Sequence, residues 1–503
     1  MIDEANAPVT DAEGEAGETL VLVRLAGELA IKSRRTRAGF QRRLERNLAD
    51  ALAPVNGEVD AAWDRMYVRS PTDAPLTVLP RVFGLSSFSP IDVVVPADLA
   101  SILEAGVATF APRLAGKRFA VRARRSGRHS FSSQDIHVEL GAALLPHSAG
   151  VDLDHPDVVV HVEVRDDRAY LFSGRVEGAG GLPLGVEGRA LGLISGGYDS
   201  AVAAWLLLKR GVNLDYVFCN LGGDAYERAV VQVAKVLADD WSYGSRPRLH
   251  VVDFGVPVDD MRAKVKHSYW QVVLKRLMYR AASWIGEELG AGAIVTGEAM
   301  GQVSSQTLTN LRAIEPAAAL PVFRPLLGFD KNEIIARAQH IGTAGLSEQV
   351  KEYCAIAPGR PVTAASVEAV DREDAKTDEA LLRTAVEQRR VLDLRALTPT
   401  DLVASYLFAE DVPDDAVVID CRPEAQYRHW HLPGAERRDD WDLLRDFRKL
   451  DRDAHYVLYC AQGIQTAYIA EKMQRAGYEA YSFRGGVRGI MKWAASRGVP
   501  LPR

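Results

Sequence analysis

The chain has 503 residues, 47% hydrophobic and 25% charged, which is enough for about three or four domains with their own cores. Its formal charge of −6 argues, as an average, against a nucleic-acid partner, and its four cysteines include no CxxC pair, which excludes a disulfide framework and disfavours a zinc ribbon. No apolar run approaches the ~20 residues of a membrane helix, and the N-terminus lacks signal-peptide features, so we expect a cytoplasmic protein without membrane contact.

The charge is unevenly distributed along the chain. Residues 1–19 hold six acidic side chains and no lysine or arginine, a composition that predicts a disordered tail. Two later segments are strongly basic: 31–46 has seven lysines and arginines against one glutamate, and 117–128 has six and no acid. Clusters of this kind either contact a phosphate backbone or form a solvated face, and charge alone does not decide between them.

The first half of the chain mixes short strand and helix patterns. Apolar residues at helical spacing predict an amphipathic helix from Thr36 to Leu52, and RFAVRARR at 118–125 predicts a strand. Two alternating runs around an Asp-Asp pair predict a β-hairpin at 157–175. We therefore expect two small α+β units before residue 179.

From Arg189 onward, short buried strands alternate with helical segments. This alternation is typical of a parallel sheet with helices on both faces. The charged stretch 371–390 predicts a solvated helix leading to a linker, and a last set of strand–helix units begins near residue 412. The sequence thus predicts an α/β multidomain protein.

The most informative motif is SGGYDS, at the end of the first of these strands and directly before a helix. Gly196 and Gly197 let backbone N–H groups approach a phosphate, and the hydroxyls of Ser195 and Ser200 add donors. Asp199 would repel phosphate unless a cation lies between them, which implies Mg²⁺. The loop has no lysine, so a Walker-type NTPase is disfavoured. The alternative is an ordinary glycine-rich turn.

SGGYDS resembles the pyrophosphatase loop of the PP-loop enzymes, which adenylate a substrate and release pyrophosphate. Together with GEAMGQVSSQTLTNL at 297–311, RPLLGFDKNEII and EYCAI, it is similar to the tRNA 4-thiouridine synthetase family. The resemblance extends over nearly the whole chain beyond the tail. After the tail at 1–19 it implies a ferredoxin-like α+β domain at 20–75, a THUMP domain at 76–178, a doubly wound PP-loop domain at 179–395, a linker at 396–411 and an α/β rhodanese domain at 412–501.

The resemblance also implies positions that bind ATP. These are Leu193, Ile194, Ser195, Gly196, Gly197, Asp199, Ser200, Lys275, Gly297 and Gln306. In the same way, Asp199 and Lys331 are implied to promote adenylation. Read alone, Lys275 and Lys331 are equally compatible with solvated surface lysines.

Cys460 ends a strand and precedes a short glycine-containing loop and a helix, an environment that lowers a thiol pKa. The surrounding segment resembles a rhodanese, which implies that Cys460 carries sulfur as a persulfide; the alternative is a buried strand-end thiol. Its loop lacks the arginines common in rhodaneses, so a protein persulfide donor such as a cysteine desulfurase fits better than a small anion. The resemblance implies that Cys354 resolves the sulfur bridge by forming a disulfide with Cys460. Cys219 and Cys421 are interpreted as structural.

Two further stretches bear on RNA. AIKSRRTRAGF resembles the family's N-terminal ferredoxin-like domain, and RFAVRARRSGRHSF resembles a THUMP domain, a module that docks tRNA acceptor ends. This context favours phosphate contacts for the basic clusters. The candidate contacts are Arg34, Arg37, Arg122, Arg124 and Arg125.

The resulting prediction is an ATP-dependent tRNA sulfurtransferase that makes 4-thiouridine at tRNA position eight through an adenylate, without an iron–sulfur cluster or a zinc ion. A sulfur relay to a carrier protein for thiamine thiazole synthesis is the nearest alternative and can coexist with this activity. An RNA-binding protein with vestigial enzymatic loops is a third reading, disfavoured by the intact SGGYDS and the two cysteines. His429 and His431 are interpreted as scaffold rather than metal ligands.

Overall fold

The computed structural model describes residues 19–62, 65–221, 223–348, 361–398, 407–461 and 464–500. Within these ranges the chain forms four sheets, each packed against helices. Residues 1–18 of the predicted acidic tail, Cys354 and part of the predicted linker lie outside the described residues, whereas Thr19, the last residue of that predicted tail, begins the first strand. Among the described helices, none combines the length and the apolar character needed to cross a membrane.

The first unit is an antiparallel sheet packed on a long helix. Val21 and Val23 of the first strand pack against Leu44 and Leu48 of the helix. This helix begins two residues before the predicted start, because the Ser33 side chain caps it by accepting a hydrogen bond from Thr36 N. The elements are β1 (Thr19–Leu25), α1 (Gly27–Ala30), α2 (Arg34–Leu52), β2 (Glu58–Ala62), β3 (Arg65–Ser70), α3 (Pro75–Val78) and β4 (Leu85–Pro90).

The second unit is a mixed sheet with helices on one face. The predicted RFAVRARR segment forms an inner strand of this sheet, and the predicted hairpin is present, with Asp166 in the left-handed region (φ 46°) at its turn. The elements are β5 (Val93–Pro96), α4 (Leu99–Phe110), β6 (Arg118–Ser126), α5 (Ser133–Leu144), β7 (Gly150–Val151), β8 (Val158–Arg165) and β9 (Arg168–Phe172). A following strand, β10 (Val176–Glu177), returns to pair with β4, so the first sheet has the order β10-β4-β1-β3-β2.

The third unit is the predicted doubly wound sheet. Five of its strands run parallel, and the sixth is antiparallel at one edge. Its strands, in the sheet order β15-β14-β11-β12-β13-β16, are β11 (Arg189–Leu193), β12 (Asn213–Asn220), β13 (Arg248–Asp253), β14 (Ile294–Val295), β15 (Val322–Phe323) and β16 (Arg390–Asp393). Its helices are α6 (Tyr198–Lys209), α7 (Gly223–Trp241), α8 (Gly255–Lys264), α9 (Trp270–Glu288), α10 (Leu308–Ile314), α11 (Lys331–Ile341), α12 (Ala344–Ser347), α13 (Val367–Asp374) and α14 (Glu379–Glu387).

The stretch 371–390 was predicted as one solvated helix, and this is wrong. It contains the end of α13 and the whole of α14, which Asp378 caps by accepting a hydrogen bond from Ala380 N. Leu382 and Val386 of α14 are buried in the core beneath the sheet. Leu382 and Val386 are four positions apart and therefore lie on the same face of α14, which faces the core. The many charged residues around them made the stretch read as solvated in the sequence.

The fourth unit is a parallel sheet covered by helices, which completes the predicted fold class. Its first strand lies within the segment predicted as linker and pairs with the strand Glu479–Phe483. Its strands, in the sheet order β17-β21-β20-β18-β19, are β17 (Phe408–Ala409), β18 (Val417–Asp420), β19 (Glu436–Arg437), β20 (His455–Tyr459) and β21 (Glu479–Phe483). Its helices are α15 (Glu424–His429), α16 (Asp440–Asp446), α17 (Ile464–Arg475) and α18 (Gly486–Ser496).

The fourth unit contacts the third through two helices. Ala467 of α17 packs into the core of the third unit, and Arg228 of α7 forms an ion pair with Glu471 of α17 at 3.1 Å. Both charged side chains are largely buried at this contact. The helix that follows the Cys460 loop is therefore the one that joins the two units.

Candidate functional site

A cavity of about 160 Å³ opens at the carboxyl ends of β11 and β14 in the third unit. Ligands in open α/β sheets bind at this edge. Nine of the ten residues predicted to bind ATP line it, and the tenth, Gly196, lies in the same loop. The nine are Leu193, Ile194, Ser195, Gly197, Asp199, Ser200, Lys275, Gly297 and Gln306.

The loop between β11 and α6 is held by its own serines. The Ser200 hydroxyl donates to the Gly197 carbonyl at 3.1 Å and accepts a hydrogen bond from Ser195 N at 3.2 Å. Gly196 adopts φ 78°, a conformation that glycine reaches without steric cost. The chain can therefore turn sharply into α6, whose first turn borders the cavity.

Gly297 fits this site because it has no side chain. A Cβ at this position would lie 2.5 Å from Ser200 N and 2.6 Å from the Asp199 carbonyl carbon, both backbone atoms of α6. Neither atom can move without shifting the helix start. A glycine after β14 thus allows this loop to pack directly on the beginning of α6.

Asp199 and Lys331, the pair implied to promote adenylation, lie in contact. The Lys331 ammonium is 3.0 and 3.2 Å from the two carboxylate oxygens of Asp199, and it also lies 5.5 Å from the centroid of the Tyr198 ring. Lys331 is the first residue of α11, whose start is fixed by a capping box between Asp330 and Glu333. Lys331 is not among the residues that line the cavity, but its contact with Asp199, which does line it, places a cation at the rim.

Glu298 is a feature of the cavity that the sequence analysis missed. Its side chain is almost completely buried, and Oε2 accepts hydrogen bonds from Arg324 Nε at 2.9 Å and Thr296 Oγ1 at 3.2 Å, with the Tyr279 hydroxyl as a third donor. Its Oε1 lies 3.6 Å from the ammonium of Lys275.

These partners keep Glu298 ionised. Burial acts to raise the pKa of its carboxyl, but the Lys275 ammonium, the Tyr279 hydroxyl and the Arg324 guanidinium together bring that pKa below its ordinary value. A buried carboxylate therefore fixes Lys275 at the cavity wall. The signal available in the sequence was a glutamate directly after Gly297 at a strand end.

The remaining wall of the cavity is mixed in polarity. Phe218, Leu274 and Met278 supply apolar surface, and Gln302 Nε2 and Gln306 Oε1 are buried polar atoms without a hydrogen-bond partner among the described residues. Buried polar atoms are normally paired, so these two indicate a polar ligand. Cys219, interpreted as structural, is indeed buried in β12, but it also lines the cavity.

Cys460 directly follows β20 and is buried. The Thr466 hydroxyl donates to Cys460 Sγ at 3.6 Å, and the Cys460 carbonyl accepts a hydrogen bond from Val487 N of α18 at 2.8 Å. The predicted resolving residue, Cys354, lies outside the described residues, so its pairing with Cys460 stays a prediction.

Of the two histidines considered as metal ligands in the sequence, His429 is exposed at the end of α15 and His431 makes a scaffold contact. His431 stacks on Tyr427, with ring centroids 3.9 Å apart, and its Nδ1 lies 3.0 Å from the Tyr427 carbonyl oxygen. In the part of the chain that the structure describes, no three His, Cys, Asp or Glu side chains come together as potential metal ligands.

A second, much larger cavity of about 1140 Å³ lies against the first two units. Arg122 and Arg124 line it, whereas Arg125 turns back to its own loop and donates to the Gly127 carbonyl at 3.0 Å. Arg34 and Arg37 lie on α2 and do not line it. Four further cations line it. Arg24, Arg113 and Arg175 were missed because they are scattered in the sequence, whereas Lys117 belongs to the basic segment 117–128 but was not singled out as a contact.

One arginine of the basic segment 31–46 has a structural role instead. Arg43 donates to the carbonyl oxygens of Leu184 at 2.7 Å and Gly244 at 3.0 Å, both in the third unit. Half-burial at this contact lowers the pKa of Arg43. A basic run in the sequence therefore combines exposed cations with a residue that fastens the first unit to the third.

Four family descriptions match the chain in order. They are the ThiI ferredoxin-like domain at 20–89, the THUMP domain at 96–173, "Thiamine biosynthesis protein (ThiI)" at 185–378 and the rhodanese-like domain at 406–493. A tRNA sulfurtransferase of Pyrobaculum aerophilum is 40% identical over 473 residues, which cover 92% of this chain and 96% of the relative. The chain belongs to the tRNA sulfurtransferase family.

Other tRNA sulfurtransferases and solved structures agree with this assignment. The tRNA sulfurtransferase of Marinobacter nauticus is 38% identical over 477 residues, covering 91% of this chain and 98% of the relative. A crystal structure of a 4-thiouridine synthetase–RNA complex with bound ATP matches 74% of this chain and 99% of its own, at 32% identity and a TM-score of 0.67. PH1313 from Pyrococcus horikoshii matches 64% and 99%, at 26% identity and a TM-score of 0.53. The resemblance drawn from the sequence motifs is confirmed.

Proposed function

We propose that this chain is an ATP-dependent enzyme that replaces the C4 oxygen of the uridine at tRNA position eight with sulfur. The observation that carries the proposal is the contact of Asp199 with Lys331 at the rim of a glycine-lined cavity. A family relative of known structure, a 4-thiouridine synthetase, was solved with RNA and ATP, which supports the same ligands here.

ATP would occupy the cavity at the end of the third sheet. Leu193 and Ile194 offer apolar surface and backbone groups to the adenine, and the loop Ser195–Ser200 offers backbone N–H groups to the phosphates. Lys275, held by Glu298, offsets phosphate charge, while Gln306 and Gly297 complete the wall. Mg²⁺, when bound, would shield the phosphates from Asp199.

In the first step the C4 oxygen of the uridine attacks the α-phosphate of ATP, forming an O-adenylate and releasing pyrophosphate. Negative charge builds up between the attacking oxygen and the leaving group. Lys331 and Lys275 lie at the rim and the wall of the cavity, where cations stabilise that charge. Asp199 holds the Lys331 ammonium in place through two carboxylate oxygens.

In the second step the outer sulfur of a persulfide on Cys460 attacks C4 and displaces AMP. The Cys354 thiol then attacks the inner sulfur, the sulfur–sulfur bond breaks, sulfur stays on the base, and a Cys354–Cys460 disulfide remains. A dithiol reductant restores the two thiols. We propose a cysteine desulfurase as the persulfide donor, because the loop CAQGIQT has no arginine to attract a small anion.

The tRNA would bind along the cationic cavity of the first two units. Six cations line that cavity, against the two carboxylates of Asp157 and Glu163. This cavity, called the cationic groove below, therefore suits a phosphate backbone. Of the predicted RNA contacts, Arg122 and Arg124 fit this role best. The target base must leave its stack to reach the ATP cavity.

A second function is supported by the family description "Thiamine biosynthesis protein" over residues 185–378. In this second function, Cys460 would pass its sulfur to a carrier protein for thiazole synthesis. This role needs the rhodanese thiol but neither tRNA nor the THUMP unit. Scoring thiazole auxotrophy after deletion of the fourth unit, with tRNA thiolation measured in the same cells, separates the two roles.

The experiment that tests the main proposal is a tRNA thiolation assay with ATP, a cysteine desulfurase and cysteine. We expect the wild type to form 4-thiouridine, and Asp199→Ala, Cys460→Ala and Cys354→Ala each to lose multiple turnover. A wild-type chain that binds tRNA but never thiolates it would overturn the proposal in favour of an RNA-binding protein.

A further inference from the structure

Two cysteines of the fourth unit lie at adjacent strand ends. β18 and β20 pair in parallel with Asp420 opposite Tyr459, and the pairing continues for one more residue, because Cys421 N donates to the Tyr459 carbonyl at 2.8 Å. Cys421 therefore lies opposite Cys460. Neighbouring strands are about 4.8 Å apart, within the Cα separation of about 4.4–6.8 Å that a disulfide can bridge.

Both thiols are on the same face of the sheet. Cys421 and Cys460 belong to one buried cluster with Ile419 and Leu458, whereas Tyr459 packs into the cluster on the opposite face. Side chains alternate between faces along a strand, so the two sulfurs share one layer. The structure shows both residues as thiols.

We propose that Cys421 is a second sulfur-reactive residue, which removes the persulfide from Cys460 when no acceptor takes its sulfur. The inference rests on the proposed function, because it requires the persulfide at Cys460. The Cys421 thiolate attacks the inner sulfur of the persulfide, a Cys421–Cys460 bond forms, and the outer sulfur leaves with the bonding electron pair as hydrosulfide. The Cys421 sulfur is oxidised, the outer sulfur is reduced, and the Cys421 proton passes to solvent. A dithiol reductant then restores both thiols.

The surroundings of Cys421 make this reaction slow. Burial raises the pKa of its thiol well above the ordinary value, and the neighbouring Cys460, Asp440, Asp420 and Asp439 act in the same direction. Only the thiolate attacks a sulfur–sulfur bond. At neutral pH the persulfide therefore survives long enough for tRNA to take its sulfur, and Cys421 discharges the persulfide that is left.

The test uses the full chain with Cys354→Ser, loaded with sulfur by a cysteine desulfurase and cysteine, then desalted and kept without ATP or tRNA. We expect one sulfide released per persulfide, and peptides carrying Cys421 and Cys460 joined by a disulfide in the mass spectrum. The rate should rise about tenfold per pH unit while the attacking thiol remains mostly protonated. Adding Cys421→Val should lower the rate at least tenfold. The matched control is Ile419→Val, a buried substitution on the same strand and face, which should stay within twofold of the parent.

Two results separate this inference from the proposed function. A chain that never accepts sulfur on Cys460 overturns both. Normal loading of Cys460 in the Cys421→Val chain, with sulfide released at the parent rate, overturns the inference alone. Loading of Cys460 also shows that this variant is folded, and the linked peptides are measured in a chain that retains both thiols.

Discussion

The Lys331 ammonium lies 3.0 Å from a carboxylate oxygen of Asp199, although 132 residues separate them in the chain. Asp199 follows the loop after the first strand of the third sheet, and Lys331 starts α11. The capping box of that helix fixes the lysine backbone, so its side chain reaches the loop from a rigid base. The contact joins an acid that would repel phosphate to a cation that attracts it.

This pairing predicts non-additive effects on adenylation. Asp199→Asn and Lys331→Met should each lower tRNA-dependent pyrophosphate release by about 100-fold, because the first releases the Lys331 ammonium from its place and the second removes the cation that offsets the transition-state charge. The double variant should lose little more than either single one, since the partners act as a unit. Initial rates at saturating tRNA measure this. Losses that multiply in the double variant would show that the residues act independently.

The close approach of Gly297 to α6 predicts a specific loss of ATP binding. In Gly297→Ala the new methyl must displace the backbone at Asp199 and Ser200, so we expect ATP affinity to fall at least about tenfold. The matched control is Gly328→Ala, where a Cβ meets no atom within 4 Å. Equilibrium binding of a non-hydrolysable ATP analogue measures both. Equal affinities in the two variants would contradict the close-approach argument.

The buried Glu298 predicts a pH-dependent stability difference. Its pKa is lowered in the folded chain, so the ionised carboxylate stabilises the fold at neutral pH, and this contribution is lost as the pH falls through the folded pKa. Glu298→Gln should lower the apparent melting temperature at pH 7 by about 5 °C or more. Below the ordinary glutamate pKa of 4.5, the gap between wild type and variant should narrow.

The control for this prediction is Glu379→Gln. Glu379 forms an exposed ion pair with Arg383, and such pairs contribute little to the free energy of unfolding. The melting temperature of the Glu379→Gln variant should therefore differ from that of the wild type by about 1 °C or less. If the difference in melting temperature between wild type and Glu298→Gln widened on acidification, the Glu298 carboxylate would not be ionised in the folded chain.

The cationic groove predicts a salt signature for tRNA binding. Arg124→Ala should weaken binding and reduce the slope of log K against log salt by about 0.7–0.9, the contribution of one phosphate contact. Arg383→Ala removes a cation that the structure places against Glu379 and Trp284 and that does not line the groove, so it should leave the slope unchanged. Titrations of each chain with tRNA at several salt concentrations measure these slopes. Equal slopes for Arg124→Ala and wild type would remove this residue from the interface.

The position of the ATP cavity was predictable from the sequence, and its electrostatics were not. Strands and helices alternate clearly after Arg189, and the carboxyl ends of parallel strands lie at one edge, so the SGGYDS loop could be placed there. The role of Glu298 depends on Tyr279 and Arg324, which come from separate elements. A glutamate between strand and loop carries no local sign of those partners.

The register of the fourth sheet was equally invisible in the sequence. Cys460 could be singled out by its strand–loop–helix setting, but Cys421, 39 positions earlier, was interpreted as structural. Only the pairing of β18 with β20 sets the two thiols side by side. Likewise, Arg24 and Arg175 join the cationic groove through tertiary structure and belong to no basic run.

The central claim is that activation occurs at the third unit and sulfur delivery at Cys460 of the fourth. The most direct test measures pyrophosphate and 4-thiouridine in the same reactions of wild type and Cys460→Ala with tRNA, ATP and a persulfide donor. We predict that Cys460→Ala still releases pyrophosphate in a tRNA-dependent first turnover, because adenylation precedes sulfur transfer, and that it loses multiple-turnover thiolation by at least about 100-fold. Full multiple-turnover thiolation by Cys460→Ala would contradict the account.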